Sequence, residues 1–201
     1  NTSGEIVPVV ATASGRYDRA EDIVGLLFAM ILLSIAWLST QESIAINGQW
    51  EGIKTATLSL PLALIVIFTG FVTGTMLAGY FPVLRLPFIS KKEMQEEVQI
   101  KAAQTFQLLR LRNTQAATGV LIYVSLYERM VSIIGDDAIS EKLSQDDWDQ
   151  VCAIVVNGMK SGKPHTALEE AVAQCGKLLS QHFPRQDNDE NELPNKLHLV
   201  H

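Results

Sequence analysis

The sequence predicts an α/β protein, with a small mixed β-sheet between helices and a two-helix transmembrane hairpin inserted into that domain. Two adjoining β-prone runs, residues 119–126 and 130–134, predict neighbouring strands. Amphipathic helical patterns precede and follow these runs. Two long stretches without a charged side chain, residues 23–41 and 55–84, separate the first β-prone run from everything that follows.

The composition fits one domain plus a membrane element. The chain has 201 residues, a formal net charge of −6 and a pI of about 5.2. The absence of a basic stripe from the sequence argues against nucleic acid as a partner. Cys152 and Cys175 lie in separate helical patterns. Two buried thiols are favoured over one disulfide, because free cysteine is among the most buried residue types.

Residues 1–22 are predicted to form the first strand of the domain and a lead-in helix. Pro8 interrupts the β-prone run at residues 6–10 and has no backbone N–H to donate to a sheet. The run is therefore an edge strand, or Pro8 lies where its nitrogen faces outward. Acidic residues then mark the first turn of a helix that continues directly into the first apolar stretch.

Residues 23–84 are predicted to form the transmembrane hairpin, with spans at about 23–40 and 57–80. About 20 apolar residues at 1.5 Å each cross the ~30 Å hydrocarbon core, so both stretches are long enough. The lipid bilayer is therefore the first predicted partner. Gly70 and Gly74 form a GxxxG pair that permits close helix packing, either against the first span or in a homodimer.

The charges that flank the spans predict the side of the membrane on which the domain lies. Two spans return the chain to its starting face, so both parts of the domain share one side. Five basic residues flank the spans on that side and one lies in the connecting loop. The five are Arg16, Arg19, Arg85, Lys91 and Lys92, and the one is Lys54. The positive-inside rule then predicts that the domain is cytoplasmic.

Residues 85–201 are predicted to complete the domain. Residues 91–113 show the pattern of one long helix, and the two β-prone runs are joined so tightly that they must pair antiparallel. Two helices follow, the first capped at Ser144 and the second at residues 165–182. An acidic tail then leads to a short final strand at residues 197–200.

Asp136 and Asp137 are the best chemical candidates in the sequence. These adjacent carboxylates follow a predicted strand and could help to hold a hard cation such as Ca²⁺ or Mg²⁺ through oxygen ligands. Asp136 is also the candidate catalytic residue if the protein is an enzyme. The same pair equally fits a polar turn, because no DxDxDG-type loop surrounds it.

Other polar residues give weaker signals. Glu128 and Arg129 lie at the opposite end of the predicted hairpin, as a charged pair or a solvated turn. Four tail acids could add metal oxygens if the tail folds back, or form a solvated run: Asp187, Asp189, Glu190 and Glu192. The histidines have no metal-binding spacing, and no GxSxG, P-loop, GxGxxG or CxxC motif is present. The residues alone favour a protein that is not an enzyme.

Three segments of the sequence resemble the TPM-domain family. They are Thr-Ser-Gly-Glu-Ile-Val from residue 2, Thr-Gly-Val-Leu-Ile-Tyr-Val-Ser-Leu-Tyr-Glu-Arg from residue 118, and Asn-Glu-Leu-Pro from residue 191. The closer resemblance is to the bacterial integral-membrane branch of the family, in which two spans are inserted after the first strand. The resemblance implies a Rossmann-like α/β/α sandwich and a place in the bacterial inner membrane.

The resemblance also implies what the domain does. Family members are linked to photosystem repair, to membrane-protein maintenance and, in some cases, to phosphatase activity or divalent-cation binding. The family's aspartate after the second hairpin strand matches Asp136. Relatives commonly have Ala-Asp-Arg-Gly-Ile where this chain has Gly-Asp-Asp-Ala-Ile at residues 135–139. Loss of the arginine removes the natural phosphate ligand, and the added acid suits a cation better.

Two functions are therefore expected. The first is a membrane-anchored binding or assembly module, with or without a divalent cation, that acts in the maintenance or assembly of another membrane protein or complex. The alternative is a weak metal-assisted phosphatase that uses Asp136 and nearby carboxylates.

Overall fold

The computed structural model describes residues 2–44, 53–111, 118–185 and 196–200. The strands are β1 (Glu5–Ala11), β2 (Gln41–Ile44), β3 (Ile53–Ala56), β4 (Gly119–Ser125), β5 (Met130–Gly135) and β6 (His198–Val200). The helices are α1 (Asp18–Ser39), α2 (Leu60–Tyr80), α3 (Lys91–Leu108), α4 (Asp137–Ser140), α5 (Gln145–Lys160) and α6 (Pro164–His182). The chain divides into two compact units, Asn1–Arg16 with Lys91–His201, and Tyr17–Ser90.

The first unit is built on a four-stranded sheet in the order β5-β4-β1-β6. β1 runs parallel to β4 and to β6, and β5 pairs antiparallel with β4. The mixed sheet, the β4–β5 hairpin and the short final strand were all predicted from the sequence and are confirmed. β4 is buried along its whole length, as its continuous apolar run predicted.

The position of β1 decides between the two readings of Pro8. β1 is an inner strand, so the prediction of an edge strand is wrong. The N–H of Glu5 donates to Thr118 on the β4 side and the N–H of Thr12 donates to Val200 on the β6 side. Backbone groups alternate between the two neighbours, so the nitrogen of Pro8 faces the β6 side. The pairing with β6 begins one residue later, at Val9.

Helices cover both faces of this sheet. Val120, Ile122 and Val124 of β4 pack into a core with α5 and α6. The alternate β4 residues Leu121 and Tyr123 pack with β1 and α3 in a second core. Two separate cores on opposite faces give three layers, which confirms a sheet between helices. α3 ends at Leu108, earlier than the predicted 113.

The N-terminus of α5 follows its sequence signal. Ser144 is the N-cap residue, and its backbone N–H donates to Oδ2 of Asp147 at 2.9 Å in a capping box. Its neighbour α6 begins with Pro164 at a position where the missing N–H has no helical partner to lose.

The second unit is a pair of apolar helices joined by a β-ribbon. α1 and α2 each have a mean hydropathy of 2.1 and are long and apolar enough to cross a membrane by length and composition. β2 and β3 pair antiparallel between them, where the sequence predicted only a link with a turn. A Cβ on Gly70 would lie 2.7 Å from Cα of Ala29, and one on Gly74 would lie 2.6 Å from Cβ of Phe28. Both glycines therefore allow α1 of the same chain to approach closely, and that face cannot contact a second copy at the same time.

Candidate functional site

The β4–β5 hairpin carries polar side chains at its two ends. Asp136 and Asp137 follow β5, where the sheet meets the N-terminal end of β4. Glu128 and Arg129 lie in the turn between the strands, at the C-terminal ends of β4 and β1. The structure thus keeps the two predicted polar pairs at opposite edges of the sheet.

Asp136 is buried, and its hydrogen bonds are to residues close to it in the structure of the hairpin. Its side chain is the N-cap of α4, and Oδ1 accepts the N–H of Asp137 at 2.8 Å. Its own N–H donates to the carbonyl of Gly119 at 2.9 Å, which extends the β4–β5 pairing by one residue. Asp137 is exposed in the first turn of α4. The first carboxylate fixes the exit from the sheet, and the second faces solvent.

The predicted cation site has few donors around it. Within residues 2–44, 53–111, 118–185 and 196–200, no three His, Cys, Asp or Glu side chains are grouped so that they could hold a metal ion. Ca²⁺ takes six to eight oxygen ligands, so Asp136 and Asp137 would need waters or further residues. The four predicted tail acids, Asp187 to Glu192, lie outside the described residues. Cation binding at Asp136 stays a prediction.

The other end of the hairpin contains a buried carboxylate that the sequence did not reveal. Glu128 is 5% exposed. Its Oε1 accepts the backbone N–H groups of Ser14 at 2.9 Å and Gly15 at 3.2 Å. Its Oε2 accepts the hydroxyl of Ser125. We call Ser14, Gly15, Tyr123, Ser125 and Glu128 the Glu128 cluster.

Two further contacts complete the Glu128 cluster. The hydroxyl of Ser14 donates to Oγ of Ser125 at 2.9 Å, and it lies 3.1 Å from Oη of Tyr123. Burial raises the pKa of Tyr123, the hydrogen bond with Ser14 opposes that rise, and the negative charge of Glu128 adds to it. The phenol is therefore held in its neutral form.

The Glu128 cluster occupies the edge of the sheet at which parallel strands end. In open α/β sheets this edge is where ligands usually bind. Here the carboxylate of Glu128 accepts hydrogen bonds from the two backbone N–H groups that follow β1. The cluster ties the chain after β1 to the turn after β4, residues more than a hundred positions apart in sequence. The sequence offers only a weak signal for this cluster: Ser14 follows the first β-prone run, and Ser125 lies near the end of the second.

The two cysteines do not provide a nucleophile. Both are free thiols, with Cys175 buried and Cys152 half-buried. Burial raises the pKa of Cys175 to about 12, and burial with the charge of Asp149 raises the pKa of Cys152. Thiolates are disfavoured at both positions, as the apolar faces of their helices predicted.

The fold and these polar ends define a class: a mixed α/β domain whose first strand is separated from the others by two apolar helices. Residues 88–178 match the family model described as the TPM domain, a range that contains α3, β4, β5, α4, α5 and most of α6. The sequence resemblance to this family is confirmed over that range.

One solved structure is similar over nearly the whole chain. It is the NMR structure of the BA42 protein from the psychrophilic bacterium Bizionia argentinensis, with a TM-score of 0.54 and 20% sequence identity. The similarity covers 99% of this chain and 82% of BA42. At this identity the likeness concerns the fold alone. No curated protein matches the chain.

Proposed function

We propose that the chain is a membrane-anchored TPM-like module that binds and helps to assemble or maintain another membrane protein. The observation that supports the membrane anchor is the apolar outer surface of α1 and α2, and the match of residues 88–178 to the TPM domain supports the assembly role. In the most apolar 18-residue stretch of each helix, only 17% of α1 and only 11% of α2 is buried within the protein. A core helix of a soluble protein would be largely buried, so the low burial of these helices supports an apolar solvent around them.

The exposed side chains of these two helices are large. Leu38 is 68% exposed, Leu60 73% and Phe68 69%. Burying one such side chain contributes about 1.5–3 kcal/mol, and the sum over both helices strongly favours a bilayer over water. The bilayer is the partner that this surface fits.

Polar groups within α2 are compatible with hydrocarbon. The hydroxyl of Thr69 donates to the carbonyl of Ile65 at 2.8 Å, and that of Thr73 donates to the carbonyl of Thr69 at 2.7 Å. In α1, Ser34 donates to the carbonyl of Met30 at 2.8 Å. Each hydroxyl is satisfied inside its own helix, which removes the cost of an unpaired donor in lipid.

An ion pair stands at one end of the hairpin of the second unit. Glu21 lies in the first turn of α1 and Arg85 follows α2, and Oε1 of Glu21 lies 2.6 Å from Nη1 of Arg85. This ion pair closes the base of the hairpin outside its apolar length. With the basic residues that flank the spans, it supports a domain on the cytoplasmic face of a bacterial inner membrane.

An impermeant maleimide applied to intact cells tests this orientation. Gln49→Cys, which lies between the two apolar helices in sequence, and Lys177→Cys, on the exposed face of α6, are compared in a background with Cys152→Ser and Cys175→Ser. We expect labelling of Gln49→Cys alone, with both labelled after permeabilisation. Labelling of Lys177→Cys in intact cells would reverse the orientation, and labelling of both would contradict two spans.

A partner search tests the assembly role. Photo-crosslinking probes are placed at exposed positions of the domain, with Lys177 on α6 as the reference position. In native membranes they should capture one membrane protein reproducibly. Deletion of the chain should then lower the amount or assembly of that protein. Capture of no partner, together with unchanged membrane proteins on deletion, would overturn the proposal.

The phosphatase alternative rests on Asp136, a buried carboxylate inside the matched TPM range. Hydrolysis of a phosphate ester is measured with and without Mg²⁺ or Ca²⁺ on the wild type and on Asp136→Asn. Asparagine can still cap α4, so this variant separates chemistry from folding. Activity that depends on the metal and is lost in Asp136→Asn would establish the alternative; activity that is absent or unchanged would remove it.

A further inference from the structure

A cavity of about 480 Å³ lies between the β4–β5 turn and the C-terminal half of α5. Its apolar walls come mainly from Met130, Val131, Val156 and Met159. Its volume falls in the range of small-molecule sites, roughly 300–1,000 Å³. The apolar walls alone would suit many occupants, and the charged residues that line the cavity restrict the choice.

Arg129 and Lys160 also line this cavity, and no acidic side chain is among its described lining residues. Neither cation forms a salt bridge within the part of the chain that the structure describes. Glu128, the adjacent acid, has its carboxylate in the Glu128 cluster, where it accepts three hydrogen bonds. The cavity therefore combines an apolar wall with two positive charges.

We propose that this cavity binds a small amphipathic organic anion, whose carboxylate or phosphate contacts Arg129 and Lys160 and whose apolar body lies against Met130 and Met159. The site is distinct from Asp136, at the other end of the hairpin, and does not depend on the proposed membrane function.

The backbone of Arg129 supports a role for its side chain. Arg129 has a φ of 56°, in the left-handed region that glycine and asparagine adopt most readily. A larger residue in this conformation is sterically disfavoured, and such residues concentrate at ligand sites. Glycine or asparagine would satisfy the turn at lower cost, and neither would supply a guanidinium at the cavity.

The end of α5 supports the second cation. Lys160 is the last residue of α5, where free carbonyls would otherwise repel an anion. Those carbonyls are capped: the N–H of Gly162 donates to Met159 at 3.2 Å, and the N–H of Lys163 donates to Gly158 at 2.9 Å. The ammonium group is then the main charge that this end of the helix presents.

Methionine-methyl NMR on the full chain tests the proposal. The chain has five methionines, and its ¹³C-methyl spectrum is recorded in phosphatidylcholine nanodiscs. Hexanoate and hexyl phosphate are the anionic probes, hexylammonium carries the opposite charge, and acetate lacks the apolar body. We expect saturable shifts of Met130 and Met159 with both anions and none of Met94, a buried residue of α3 on the other face of the sheet.

Charge variants decide whether the two cations hold the anion. Arg129→Asn keeps a residue that tolerates positive φ, and Lys160→Gln removes the charge while keeping an unbranched polar side chain. Each should weaken hexanoate binding about tenfold, the loss of one charge-assisted hydrogen bond. Lys177→Gln makes the same charge change away from the cavity and should bind as the wild type does. An unchanged Met94 signal verifies folding of each variant.

Three results would overturn the proposal. They are equal shifts with hexylammonium, no saturable shift of Met130 and Met159, and unchanged affinity in both charge variants. Saturation by hexanoate but not by hexyl phosphate would identify the head group as a carboxylate, and the reverse would identify a phosphate. Binding of acetate as tight as that of hexanoate would remove the apolar body from the proposal.

Discussion

Two buried carboxylates stand at opposite ends of one β-hairpin and hold the fold in different ways. Asp136 binds the next residue and caps the short helix that follows it. Glu128 binds Ser14 and Gly15, which reach it from the other end of the domain sequence. A local cap fixes where a helix begins, and a long-range carboxylate fixes where two segments meet. The second should carry more of the stability of the domain.

The largest expected effect is that of Glu128→Gln. The amide must direct its NH₂ either at the two backbone N–H groups or at the hydroxyl of Ser125, so one donor loses its acceptor. We expect a loss of about 2–4 kcal/mol in the free energy of unfolding of the domain.

Alkylation of Cys175 measures that loss. Its thiol is fully buried with a pKa of about 12, so in a Cys152→Ser background it reacts only when the domain opens. Glu170→Gln, on the exposed face of α6, removes an equal charge and should change opening by less than about 0.5 kcal/mol. Equal labelling rates for the two variants would show that the Glu128 cluster stabilises little.

Asp136 should give a smaller effect. Asp136→Ala removes the N-cap of α4 and should cost about 1 kcal/mol, whereas Asp136→Asn restores a capping oxygen and should cost a few tenths. The same Cys175 assay compares both with Glu128→Gln. A cost for Asp136→Asn as large as that for Glu128→Gln would reverse the comparison, and would indicate that the charge of Asp136, not its cap, is what the domain uses.

The difference between local and long-range contacts also decides how much of the structure the sequence could predict. Local signals sufficed for the cap at Ser144, the hairpin at residues 119–134 and the two apolar helices. They did not place β1 inside the sheet, because Pro8 suggested an edge strand. Pro8 is tolerated in an inner strand because its nitrogen faces a stretch that β6 does not cover. The β2–β3 ribbon was missed because neither short strand follows a strong alternating pattern.

The candidate site was predicted only in part, for the same reason. Asp136 was singled out because it follows a strand, and the structure places it there as the buried N-cap of α4. Glu128 was assigned to a charged pair or a solvated turn because its partners, Ser14 and Gly15, are remote in sequence. Arg129 could be recognised as a turn residue, but the cavity beside it exists only once α5 is packed against the sheet.

Alkaline pH offers the smallest and most specific test of the Glu128 cluster. Tyr123 has its pKa raised in the folded chain above the ordinary value near 10 by burial and by the charge of Glu128. Between the unfolded and folded pKa values the native state keeps a proton that the unfolded state loses, so stability falls as pH rises through this window. Below about pH 10 the contribution of the neutral phenol is fully present.

Tyr123→Phe should remove this alkaline loss. Thermal unfolding followed by circular dichroism at several pH values from 8 to 11.5 should show a steeper decline in the wild type than in the variant, at the cost of one hydrogen bond near neutral pH. In Glu128→Gln the decline should begin at the same pH, which the unfolded chain sets, but end at a lower pH and be smaller in total, because loss of the negative charge lowers the pKa of Tyr123 in the folded chain. Parallel declines in all three proteins would mean that ionisation of Tyr123 does not cause the alkaline loss of stability and that the charge of Glu128 does not affect it.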